Sequence, residues 1–352
     1  MRPVSAPDQA RWGGRTRRPG RRALSVAAAA AGLILVAGCH VPLFSSAAAG
    51  SPTASGTVTV AAPPEVADAP LYIGIRDGLF SRAGLTVKVV PSTSVPQAVA
   101  ALRNHSADVA FGDYASMFYA QEQKGAPHLL TVADGYDAGP NVMEVLTLPN
   151  SGIASPSDLQ GRTVGTAMAQ GIPTTKGGKS QPYSIDTLAT WSVLTSDNVQ
   201  VSKVNWDPMQ ARDLIGALQH GEVAAIVATE PIIYQAESQL GAVPVLDACT
   251  GATANLPLAG YFTTSSYAGR NAAVVAAFRA ALAKAQAQAG MAAPLQTALT
   301  KSAGLNTQAA ALVTLGSYPT TLSAANLQRV VNLLWSFGTL PNTFNVSSMV
   351  AR

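Results

Sequence analysis

The sequence predicts an α/β chain folded into two lobes with a hinged cleft between them, and three observations lead there. From Thr57 onward, short β-type runs alternate with amphipathic helical stretches, the pattern of layered α/β domains. A helix-turn-strand unit at 101–111 is echoed at 217–227, with Ala101-Leu102 at the head of the first copy and Ala217-Leu218 at the head of the second. Each copy runs into a new helix, and matching units that far apart suit two similar lobes better than one sheet. Finally, 352 residues with 48% hydrophobic content supply core for about two domains and exclude a disordered chain.

The first segment is expected to be a leader. Seven of the 23 basic residues fall within the first 22 positions. They precede an uncharged run from Ala23 to Gly38 that closes on Leu35-Val36-Ala37-Gly38-Cys39. Sixteen helical residues span about 24 Å, less than the ~30 Å hydrocarbon core, which predicts a signal-peptide h-region rather than a resident transmembrane helix. The closing residues resemble a bacterial lipobox, which implies cleavage before Cys39 and a diacylglycerol on its thiol. Arg21-Arg22-Ala23-Leu24 also resembles a twin-arginine signal, so the export route stays open. Without residues 1–38 the chain keeps 16 basic and 18 acidic residues, a net charge of −2, and nucleic-acid binding loses its support. With Cys39 acylated, Cys249 has no partner for a disulfide. Residues 39–56, rich in Ala, Ser, Gly and Pro, form a tether reaching roughly 20–25 Å.

The elements of lobe one follow, over 57–150. Strands are expected at 57–60 and 85–90, separated by a helix over 71–81 that ends in a turn at Gly84. A helix at 96–104 has Pro96 in its first turn, and it leads to a strand at 107–111 and a helix at 113–123. The crossing into lobe two is placed at 151, ahead of the Ser/Pro-opened turn at Ser155-Pro156 and a fresh strand at Val164. Lobe two runs to 257. The chain then returns at 258–352, and helices at 271–288, 307–315 and 323–337 pack on lobe one.

The residues in this order resemble the SsuA/THI5-like (NMT1-type) solute-binding proteins of ABC importers. The resemblance rests on Ala69-Pro70-Leu71-Tyr72-Ile73-Gly74, Asp77-Gly78-Leu79-Phe80, Ala83-Gly84-Leu85, the unit at 100–111, the segment 153–165, and Gly221-Glu222 through Thr229-Glu230-Pro231. It covers about 57–337 and implies a periplasmic-binding-protein type II-like fold. It also implies capture, outside the cell, of a small organic nutrient of the thiamine-precursor, alkanesulfonate, taurine or nitrate class. The implied partners are a permease with its ATPase and the membrane, reached through the lipid on Cys39; a monomer is expected. Two positions depart from the family pattern, Ala224 where Asp is usual and Thr229 where an aromatic is usual. The stretch 170–181 is also long, so ligand identity does not carry over. An enzyme of the pyrimidine or menaquinone pathways on the same fold, and a ligand sensor, are the alternatives.

No nucleophile elbow, zinc-protease motif, P-loop or Cys-x-x-Cys is present, so neither catalysis nor a cofactor is expected. His40 falls in the tether, and His105, His128 and His220 fall in turns without the clustering that a metal requires. A binding site needs only a concave pocket with a few fixed polar groups, outside the carboxyl ends of the strands. That rule selects the loop at 63–71 with Tyr72 beyond it, Gly112-Asp113-Tyr114, Asp134 to Asp137 with Tyr136, Thr166 to Gln170, Asn205-Trp206-Asp207, and Thr229-Glu230. Tyr114, Tyr136 and Trp206 are expected either to wall the cleft or to pack at a lobe edge. Asp113, Asp137, Asp207 and Glu230 either bind ligand donors or, for Asp113, Asp207 and Glu230, serve a helix N-terminus. Acids without Arg favour a neutral or amine-bearing heterocycle such as a pyrimidine. A sulfonate or nitrate on helix N–H groups, or one reached by Lys176 and Lys179, stays open.

Overall fold

The computed structural model describes residues 55–351 except 169–171, 177, 178, 181 and 182. Expectations for the leader, for Cys39, for nearly all of the tether and for Gln170 lie outside the described residues.

The chain opens with β1 (Gly56–Ala62), α1 (Ala69–Arg76), α2 (Leu79–Arg82), β2 (Leu85–Pro91), α3 (Val95–Arg103), β3 (Val109–Asp113), α4 (Tyr114–Gln121) and β4 (Leu129–Asp137). Next come β5 (Met143–Thr147), β6 (Thr163–Ala167), the hairpin β7 (Thr175–Lys176) and β8 (Lys179–Ser180), and α5 (Ile185–Ser196). They are followed by β9 (Asn205–Met209), α6 (Leu214–His220), β10 (Ala225–Thr229), α7 (Ile232–Leu240) and β11 (Val243–Asp247). The last part holds β12 (Pro257–Thr264), α8 (Ser265–Arg270), α9 (Ala272–Ala289), α10 (Ala292–Ser302), α11 (Thr307–Leu312) and α12 (Ala324–Ser336).

The strands form two five-stranded sheets, ordered β2-β1-β3-β12-β4 and β11-β5-β10-β6-β9. Read from opposite ends, the two orders describe one plan. The third strand of each sheet has a parallel neighbour on one side (β1 or β6) and an antiparallel one on the other (β12 or β5). Those third strands are β3 and β10, the two strands of the sequence echo. The turns before them match as well, with His105 and Gly221 both at positive φ, 61° and 72°.

Local sequence explains the helix starts. Ser94, Asp113, Ser184 and Ser323 are N-caps whose side chains accept from the backbone N–H of Gln97, Ser116, Thr187 and Asn326, satisfying donors that the helix leaves free. The C-terminal helices return to the first sheet's lobe. Phe80 on α2 stacks on Phe278 of α9 at 5.2 Å, and Phe111 of β3 meets Tyr261 of β12 edge-on at 4.8 Å.

Four expectations need correction. The chain leaves the first sheet after Asp137, and β5 already pairs with β10 and β11, so the crossing precedes the boundary placed at 150. The helix expected over 71–81 is broken by Gly78, whose φ of 65° is left-handed, a conformation glycine adopts without steric cost. Asp134 to Asp137 belong to β4, because that strand pairs with β12 along its whole length through several register shifts. Asn205 to Asp207 belong to β9, an edge strand in parallel register with β6, and their alternating exposure is that of a half-buried strand.

The two connections between lobes run side by side. Ala138 N–H donates to the Leu256 carbonyl at 2.8 Å, and Ala248 N–H donates to the Met143 carbonyl at 2.9 Å. Arg329 on α12 adds a clamp, its guanidinium donating to the carbonyls of Ala252, Ala254 and Asn255.

Candidate functional site

A cavity of about 370 Å³ lies where both sheets present the carboxyl ends of their parallel strands, and it is lined from both lobes. Glu65 and Val66 follow β1, Ser92 to Ser94 follow β2, and Gly112 and Asp113 end β3. From the second sheet come Ala167 and Met168 at the end of β6, Gln210 and Ala211 after β9, and Thr229 and Glu230 after β10. Ser184, Ile185 and Asp186 enter at the start of α5, and Tyr136, Val142, Met143 and Leu258 wall the side near the crossings.

The lining holds four carboxylates and no Lys, Arg or His among the described residues. Asp113 is committed to α4: its Oδ1 accepts from the Ser116 N–H at 2.8 Å. Burial raises its pKa. Glu230 accepts from the Tyr234 N–H of α7 at 3.1 Å and, across the cleft, from the Thr314 N–H at 2.9 Å. Burial raises it too. Glu65 is pushed up to about 8, first by burial and then by Asp113 and Asp186. Asp186 is pushed up to about 7 by burial and by Asp113. The Tyr136 hydroxyl accepts from the Gly316 N–H at 2.7 Å, which fixes its ring against Tyr318 with centroids 5.1 Å apart.

Of the residues the sequence selected, Gly112, Asp113, Tyr136, Thr229 and Glu230 line this cavity. At Gly112 a Cβ would stand 2.7 Å from the Met117 methyl, so glycine lets α4 pack close behind the wall. Four others do not line it. Tyr114 is fully buried, its ring among Phe118 and Phe262 and its hydroxyl donating to Asp134 Oδ1 at 2.8 Å. Trp206 sits near the amino end of β9, away from the cleft, where it packs on Trp191 and donates to the Val201 carbonyl. Thr166 is buried with its hydroxyl against that of Tyr183. Tyr72 is half-buried on α1, its hydroxyl pushed up to about 12 by burial and by Asp68. Gln170 lies outside the described residues. Asp207 is exposed on β9, and burial pushes Asp137 up to about 6 against the pull of Arg329.

Sequence reasoning missed Glu65 and Asp186. Glu65 stands in the loop that topology had selected, where it was not singled out. Asp186 follows Ser184, whose side chain and that of Thr187 form a capping box, a signature of a helix start obscured by the long stretch after β6. No three described His, Cys, Asp or Glu side chains form a group able to hold a metal ion.

Glu65 and Asp186 make the empty protein sensitive to pH. Their folded pKa values exceed the ordinary carboxylate values, so the stability tied to their protonated forms is fully present below about 4 and is lost as pH rises through 7 to 8. The melting temperature of the ligand-free protein is expected to fall by roughly 10 °C or more between pH 5 and pH 9, with Asp134 and Glu144, pushed by burial up to about 8 and about 7, adding to it, and Glu65→Gln should remove part of that fall. Identical pH profiles for the two proteins in differential scanning calorimetry would show that Glu65 carries none of it.

The family model described as "NMT1/THI5 like" matches residues 66–297. No curated protein sequence matches the chain at a significant level. Among solved structures, the periplasmic aliphatic sulphonate-binding protein SsuA of Escherichia coli superposes with a TM-score of 0.67 at 18% identity, covering 84% of this chain and 97% of its own. The periplasmic nitrate-binding protein NrtA of Synechocystis PCC 6803 gives 0.64 at 12%, covering 84% and 85%. The desulfurization enzyme DSZB gives 0.64 at 16%, covering 84% and 96%. At these identities the likeness is one of fold: a mixed α/β, periplasmic-binding-protein type II-like architecture.

Proposed function

Because the chain belongs to the NMT1/THI5-like family, we propose that it is an extracytoplasmic solute-binding lipoprotein that captures a small organic nutrient and delivers it to an ABC permease with its ATPase. The observation that carries this reading is a cavity lined from both sheets, because a ligand touching both lobes stabilises their closed arrangement and an empty cleft does not. The leader and Cys39 support anchoring at the outer face of the membrane by a lipid, with residues 39–56 as spacer. The similarity in fold to SsuA and NrtA supports the transport role; sulphonate and nitrate are what those proteins bind.

The fold of DSZB favours a second reading, an enzyme. The lining speaks for binding: among the described residues it contains neither Cys nor His, and Cys249 is buried with its thiol pushed up to about 12 by burial and by Asp247, the opposite of an activated nucleophile. The test is calorimetry of the processed, lipid-bearing protein against a broad panel of amines, heterocycles, sulfonates, nitrate and taurine, with mass analysis of each compound afterwards. Binding of one compound, recovered unchanged, is the expected result. Chemical turnover of a bound compound would move the protein to the enzymes, and silence across the panel would remove the binding role.

A further inference from the structure

We propose that the cleft takes a small organic cation bearing N–H donors, whose positive charge joins Glu65 and Asp113 of one lobe to Asp186 of the other. This inference rests on the solute-binding reading above and names the chemistry of its ligand. Glu65 follows β1 and Asp113 ends β3, both in the first sheet's lobe, whereas Asp186 opens α5 beside β6. The three line one cavity and act on one another electrostatically, Glu65 with both aspartates and Asp186 with Asp113.

Asp113 is partly satisfied by the first turn of α4, but the carboxylates of Glu65 and Asp186 accept no hydrogen bond from any described residue. Both are half-buried and line the cavity. Half-buried carboxylates without partners carry a desolvation cost, and no cation from the described lining offsets it. An ammonium or amidinium group supplies the charge and the donors that the described lining lacks.

The remaining walls choose the kind of cation. Phe111, Tyr136, Val142, Met143 and Leu258 give the cavity an apolar side suited to a carbon body. The acids are not grouped so that three of them could hold a metal ion. Where pH ionises them, carboxylates contributed by opposite lobes repel one another in the empty cleft, and a bound cation removes that penalty and holds them ionised at lower pH. A sulfonate or nitrate entering the same space would meet only like charge on these three groups.

Calorimetry on the processed protein can decide the matter, with benzamidine, benzylammonium and agmatine as cationic probes, benzyltrimethylammonium as a cation lacking N–H donors, and propanesulfonate, nitrate and benzyl alcohol as the other arms. At least one N–H-bearing cation is expected to bind. Its affinity should fall roughly tenfold in Glu65→Gln and in Asp186→Asn, further in the double variant, and benzyltrimethylammonium should bind more weakly than benzylammonium. Both variants remove repulsion, so their empty forms should melt no lower than the parent at pH 8; Glu65→Asp serves as the charge-retaining control and should keep most of the affinity. Tighter binding of propanesulfonate, nitrate or benzyl alcohol than of every cation would overturn this inference and leave the solute-binding role standing. Unchanged cation affinity in both variants would overturn it equally. Failure of every probe here, together with silence across the broad nutrient panel, would remove both readings at once.

Discussion

Tyr114→Ala is expected to cost about 4 kcal/mol of stability, the range for deleting a large buried aromatic side chain. The ring is fully buried and sits 5.5 Å, centroid to centroid, from both Phe118 and Phe262. Its hydroxyl also serves Asp134, whose carboxyl is pushed up to about 8 by burial and by Asp137. Removing the ring therefore opens a cavity and takes away a donor from an enclosed acid. Tyr114→Phe separates the two effects: it keeps the packing and should cost roughly 1–2 kcal/mol. Urea unfolding measures both. A near-normal midpoint for Tyr114→Ala, accompanied by lost ligand affinity, would place the ring in the cleft instead.

Gly316→Ala is the second large effect, and it arises from steric crowding. A Cβ at Gly316 would collide with the carbonyl oxygen of Asp137, a backbone atom that cannot rotate away. The segment around Gly316 lies along the end of β4: Asp137 and Ser317 exchange backbone hydrogen bonds of 2.9 and 3.1 Å, and Gly316 N–H donates to the Tyr136 hydroxyl. Thr314, two residues earlier, donates to Glu230. Pushing this segment away should cost about 2–4 kcal/mol and release Tyr136 and Glu230 from the positions they hold in the cleft. Gly216→Ala is the control, because that glycine lies within α6 with nothing within 4 Å of its added Cβ, and alanine there should be neutral or stabilising. Equal melting temperatures for the two variants would mean that the segment yields freely.

The architecture was legible where periodicity and turn chemistry act locally. The echo at 101–111 and 217–227 marks structurally equivalent strands because a polar turn with left-handed backbone followed by a buried run carries its own signature. Asp113 serving a helix N-terminus was one of its two legible roles for the same reason, since a cap depends on residues three positions away. What was not legible depends on distant pairing. Whether Asn205-Trp206-Asp207 forms loop or strand is decided by β6, some forty residues upstream. The side on which Tyr114 lies is decided by β12, and nothing near Tyr114 in sequence announces Phe262. Topology could select the loops around the cleft, but not which of their acids would find partners. Asp113 and Glu230 are tied to helix starts, whereas the carboxylates of Glu65 and Asp186 accept no hydrogen bond from the described residues, and that distinction follows from helices packed around the cavity.

The place of β12 in the first sheet has a consequence for how the molecule is made. It lies between β3 and β4, yet about 120 residues separate it from the end of β4, and all five strands of the other sheet are synthesised in that interval. A ribosome or translocon therefore releases the whole of the second sheet while the first is still two separate pieces, β2-β1-β3 and a lone β4. Joining them requires closure of a long loop, a slow entropic step. The lobe that carries both ends of the globular body is thus the last to be completed, and the cleft comes into being only when that strand arrives.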